Sequence, residues 1–185
     1  MRDTHPALLA AGRAMAELRD PMVAQWADWL GERMTAAATV PRHVVERELR
    51  LLLDVLTGML GPLRREVKTV WFHACEHYGR MAMARGLAAG EVVEEIQFLR
   101  ELLIRNLAPV LAAMRARQGM AIMLRLNRLL DKGIAVAVVG YTDALVAALF
   151  TQNGVPAPAN ELDAAEMERQ IDCIEQELAA VTRHQ

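Results

Sequence analysis

Residues 120–150 read MAIMLRLNRLLDKGIAVAVVGYTDALVAALF, and this stretch decides the fold class. Strand alternation is absent, so the run predicts one long helix from Met120 to about Phe150. Gly133, Ala137, Gly140 and Ala144 recur at spacings of 4, 3 and 4 along one face. Small side chains at that spacing let a second helix approach closely, at a cost of roughly 1 kcal/mol of helix propensity per glycine. Val138, Val139, Leu145, Val146 and Leu149 line the other sides. A helix apolar all round is expected to be buried on all sides, either as the central helix or with a second subunit covering its outer face. Asp143, if buried there, needs a partner such as Arg100 or Arg105.

The same stretch raises a membrane question. Gly133 to Phe150 spans 18 residues and is interrupted only by Tyr141, Thr142 and Asp143. That is barely long enough to span a bilayer. Asp143 near the bilayer centre would cost roughly 2.5–3.5 kcal/mol. A buried helix of a soluble protein is the expectation, with no membrane partner.

Working outward, helical periodicity continues throughout. Pro6 opens a first helix through Leu8, Leu9, Met15 and Leu18. Asp20 and Pro21 are an N-cap and N1 pair for a second, carrying Met22, Val23, Trp26, Trp29, Leu30 and Met34. A third runs from Pro41 to about Leu60, and Gly61–Pro62 breaks it. A fourth runs from Pro62 to about Arg85, with Leu63, Val67, Val70, Ala74, Tyr78 and Met81 as its core face. Phe72, Gly79 and Met83 make a second apolar stripe, either an exposed patch or a sign that the helix is sandwiched. After Gly86 to Gly90, a fifth helix carries Val92, Ile96, Leu99 and Leu103, and Pro109 is expected to kink it.

Composition agrees with helices. Apolar residues are 54% of the 185 and aromatics only 4%. An Ala-, Leu- and Met-rich core suits close-packed helices better than sheets. The formal net charge of −2, with no basic block evident, does not suggest nucleic acid. Cys75 and Cys173 lie far apart, as reduced thiols of a cytoplasmic protein would. Cys75 reads as a small buried hydrophobe near the core edge.

The end of the chain differs in character. Residues 153–160, within TQNGVPAPAN, form the clearest linker, and Asn160 can cap a final helix. Over 161–185, Ala164, Met167, Ile171, Ile174, Leu178 and Val181 are spaced 3, 4, 3, 4, 3, an a/d heptad seam. A helix this short is marginal alone and wants a partner. A coiled coil with a second copy is the expectation, and folding back onto the bundle is the alternative. The domain reading is therefore a helical domain over 1–152, a linker over 153–160 and a signalling helix over 161–185. No C-cap glycine follows the seam, which reads as a chain that would continue into another domain.

One motif points to chemistry. His73, Glu76 and His77 match H-x-x-E-H, an inverted zinc-protease pattern. Two histidines four apart share a helix face and could reach one metal, with Glu76 polarising a water. Either could also be an axial haem ligand. Helical geometry places His77 about 80° and His73 about 120° from the centre of the core face. The expectation is two boundary histidines, with no catalytic residue and no required cofactor.

The order of pieces resembles a known family. Trp26 and Trp29, the run from Gly90 through Glu91, Glu94, Glu95 and Phe98 to Arg100, then Leu129 to Ile134, and Tyr141–Thr142, resemble the N-terminal domain of the RsbR/RsbRD co-antagonist family. Similar domains precede bacterial histidine kinases. The resemblance implies a globin-like, haem-free bundle of about six to seven helices that dimerises and signals through a linker helix to an output domain. In RsbR proteins that output is a STAS domain of the stressosome. It implies no site residue here.

Overall fold

The computed structural model describes residues 6–33, 40–151 and 161–183. They form seven helices: α1 (Pro6–Glu17), α2 (Arg19–Arg33), α3 (Arg42–Leu60), α4 (Val67–Ala84), α5 (Ala89–Ala112), α6 (Ala116–Thr151) and α7 (Glu161–Thr182). Among the described residues there is no strand, and the fold is an all-α bundle. The expected linker, Asn160 and Met34 lie outside the described residues.

Local chemistry sets the helix ends. Gly86 takes a left-handed φ of 79° just past α4. The Gly86 N–H donates to Met83 O and the Leu87 N–H to Ala82 O, which together close the last turn as a Schellman motif. At α5 the Glu91 carboxylate accepts the Ala88 backbone N–H at 2.6 Å, satisfying a free donor of the first turn. Two expected boundaries move. The stretch after Pro62 is a turn before α4 begins at Val67, and α5 runs through Pro109 to Ala112 without a break.

The most extensive helix pairing is α4 against α6. It rests on the small-residue face of α6. A Cβ added to Gly140 would meet the backbone of Glu76, and one added to Gly133 would lie 2.7 Å from the Trp71 ring and 3.0 Å from Cys75 Sγ. The stripe is therefore filled by α4 of the same chain. Gly79 of α4 answers it, so the Phe72, Gly79 and Met83 stripe is the sandwiched one of its two readings.

Helix α6 itself departs from expectation. It is long and apolar enough to cross a membrane by length and composition. Its inner face is buried through Ile122, Leu126, Leu130, Gly133, Ala137 and Gly140. Its outer face is not covered: Val139 is 56% exposed, and Val146 and Leu149 are also open. An α-helix 36 residues long, about 54 Å, outruns its 18-residue partner α4, so among the described residues its far end is left largely exposed. Asp143 is exposed for the same reason, and its expected partners are engaged elsewhere, Arg100 with Asp131 and Arg105 with Glu101.

Helix α7 is the main correction. It does not stand clear of the bundle as a free seam. It lies along α3 and α4, with Ile171 and Ile174 buried and Met167 and Leu178 partly so. The narrow a/d stripe suits any groove between two helices, and here α3 and α4 supply it.

Candidate functional site

Three regions carry chemistry: the histidines of α4, the buried charges behind them, and a cationic groove beside α6.

The two histidines separate. His73 is about half exposed and shares a 2.9 Å hydrogen bond with Glu177 of α7. His77 is not a boundary residue: it is 4% exposed, and its Nδ1 lies 2.6 Å from Glu48 Oε1 of α3. The angular estimate missed this because α7 and α3 cover a flank that one helix's own periodicity cannot show. His77 Nε2 is buried without a partner among the described residues. Glu76 turns outward to pair with Arg80. The three residues of H-x-x-E-H thus point to three different neighbours. Among the described residues no three ligand-type side chains converge as a metal site would need.

A second buried group lies at the α4–α5 junction. Arg85 grips Glu95 with two hydrogen bonds of 2.9 and 2.8 Å, and Tyr78 donates to the same carboxylate at 2.5 Å. The guanidinium also sits 5.4 Å from the Tyr78 ring centre. Burial opposes the Arg85 charge, but Tyr78, Glu95 and Glu48 outweigh it and raise its pKa. Burial, then the negative charge of Glu95, pushes the Tyr78 phenol well up. Burial, helped by Glu48, does the same to the Cys75 thiol. Glu48 and Glu95 carried a faint sequence signal. Each occupies a core-face register, between Val44/Val45 and Leu52 and between Val92 and Leu99, where a carboxylate requires a partner.

Helix α7 is fastened at its rim by charge. Arg47 of α3 bonds Asp172 and Glu175, His43 bonds Glu168 at 3.0 Å, and His73 bonds Glu177. The Glu166 carboxyl is held low mainly by hydrogen bonds from Gln170 and Arg169, with a smaller contribution from His77.

The groove is what the sequence concealed. It runs beside the first half of α6 in three adjoining lobes of about 240, 410 and 490 Å³. Arg64, Arg65 and Lys68 line one wall. Arg125, Arg128 and Lys132 line the α6 wall, and Arg125 borders all three lobes. Arg115 and Arg117 close the far end near Leu8. No basic block is visible in the chain because these eight cations come from two distant segments, and the acidic residues elsewhere cancel them in the net charge. A signal did exist: residues 115–132 hold five cations and one acid, Asp131.

Compared with known proteins, the chain matches no family model, no curated protein and no solved structure.

Proposed function

We propose that this chain is a sensory and dimerisation module of a bacterial signalling regulator, and that α7 is its output helix. The way α7 is held carries this reading. Two buried isoleucines anchor it, each worth about 1.5–3 kcal/mol when fully buried, with Met167, Leu178 and Val181 only partly buried beside them. The rim pairs are exposed, and such pairs contribute about 0–1 kcal/mol each. Ordering a helix of 22 residues offsets much of that gain. An element so lightly held is the kind of two-state part that a ligand or partner can shift. Once released, the 3-4 seam is free to pair with a second copy or with an output domain. The exposed apolar residues Val139, Val146 and Leu149 of α6 support contact with a second copy. The resemblance to RsbR-type N-terminal domains points the same way and suggests a haem-free, globin-like sensor.

Hydrogen exchange with light scattering tests both halves. The α7 amides are expected to exchange through an opening cheaper than that of α3 and α4. Ile174→Asp should bring them to unprotected rates while the bundle stays folded. If α7 exchanges only with global unfolding, it is a structural helix and not an output. A monomer at tens of micromolar, for wild type and Ile174→Asp alike, would sink the dimerisation part.

A further inference from the structure

The geometry assigns the groove beside α6 to a small soluble anion carrying more than one phosphate. Arg64, Arg65 and Lys68 share one lobe with Arg125 and Lys132, and Arg128 lines the adjoining lobe on α6. Among the described residues no carboxylate pairs with any of the six, and none lines any of the three lobes. This is not the habit of the molecule. Most of its other arginines are paired, from Arg19 with Asp54 to Arg85 with Glu95 and Arg169 with Glu166. Like charges gathered without counter-charge cost free energy that a bound anion would recover.

Two further features of the groove fit an anionic ligand. Burial and the neighbouring charge of Arg64 both hold the Arg125 pKa down, and its guanidinium donates at 2.8 Å to the neutral Met59 carbonyl and to no carboxylate among the described residues. Trp71, 1% exposed and part of the lobe beside Arg64, keeps its indole N–H buried with no acceptor among the described residues. An orphaned buried donor is costly unless something supplies a lone pair.

Phosphate fits this chemistry. Guanidinium forks match phosphate oxygens bidentately, and lysine adds a point charge. Two of the lobes, at about 410 and 490 Å³, have the size of small-ligand sites, and the third, at about 240 Å³, adjoins them. Their floor, from Leu129, Phe72 and Met59, suits an apolar part of an ester. None of the described α7 side chains lines the groove, so the site stands whether or not α7 is an output helix.

The probe is inorganic pyrophosphate, titrated into the full chain by calorimetry at low and moderate salt. Saturable one-to-one binding that weakens with salt is expected, together with a change in tryptophan emission. Arg64→Ala/Arg128→Ala should weaken it by more than about tenfold, since each charged hydrogen bond contributes about 1.5–3 kcal/mol. Both side chains are exposed and their removal relieves repulsion, so the urea midpoint should not fall, and Lys132→Gln gives an independent second variant. Arg128→Lys should recover part of the affinity in the Arg64 wild-type background. No heat with pyrophosphate, or equal binding by wild type and both variants, overturns the assignment. Sedimentation with phosphatidylglycerol vesicles in the absence of pyrophosphate binding also overturns it, because the phosphate recognised would then be a lipid surface.

Discussion

Gly79 of α4 and Ala137 of α6 touch backbone to backbone. A Cβ on Gly79 would overlap the Ala137 carbonyl oxygen, 2.7 Å from the carbonyl carbon and 2.9 Å from Tyr141 N. Neither neighbour is a flexible side chain, so the helices themselves would have to separate. Gly140 meets Glu76 in the same way one turn along. The bundle is organised around this contact.

Gly79→Ala is therefore expected to cost about 3 kcal/mol or more, at the upper end for overpacking. Gly140→Ala should behave alike. Gly31→Ala is the control, because nothing lies within 4 Å of its added Cβ. There the gain in helix propensity should stabilise by up to about 1 kcal/mol. Urea midpoints at constant slope measure all three. Equal midpoints for Gly79→Ala and Gly31→Ala would dismiss the close contact.

This contact also shows how far the sequence could be read. The 4-3-4 stripe announced a close helix partner, and α4 proved to be that partner. The helices were legible because proline, glycine and 3.6-residue periodicity are local signals. What covers a face is not local. His77 reads as a boundary residue on α4 alone and becomes buried only when α3 and α7 are added. The seam of α7 specifies a narrow groove but not whose groove. The cationic wall joins residues 64–68 to residues 125–132, and no window on the chain spans both.

The Arg85–Glu95 pair should be strongly non-additive. Arg85→Met leaves Glu95 buried with only the Tyr78 hydroxyl, and a stranded buried charge costs about 3–5 kcal/mol. Glu95→Leu strands Arg85 similarly. The double variant removes both charges and should recover most of the loss. A thermal-denaturation cycle measures the coupling. Two single losses that simply add would mean the pair is solvated and not buried.

Alkaline pH should destabilise the fold. Burial raises the Cys75 thiol and the Tyr78 phenol in the folded state. The unfolded chain then releases these protons first, at ordinary values of about 8.5 and about 10. Their contribution is complete below those values and is lost as pH rises. Each group steepens the fall by up to about 1.4 kcal/mol per pH unit. Tyr78→Phe and Cys75→Ala should each flatten the stability curve above about pH 9. A wild-type curve that stays level to pH 11 would contradict the burial of both.

The docking of α7 should also respond to charge. Arg47 meets both Asp172 and Glu175, so Arg47→Glu replaces two attractions with two repulsions across α3 and α7. Exposed pairs of this kind shift the docking equilibrium by about 1 kcal/mol or somewhat more. Salt near 1 M should do part of the same, because it shortens screening to about 3 Å. Cys173 gives the probe. It is exposed beside Ile174, while Cys75 is buried and unreactive, so a spin label attaches to α7 alone. In wild type at low salt the label should report an ordered helix, held by Ile171 and Ile174. Arg47→Glu should add a mobile component, and salt should enlarge it in wild type but not further in the variant. A spectrum indifferent to both changes would mean that the isoleucines hold α7 without help, and that the ion-pair rim is ornament on a permanently docked helix.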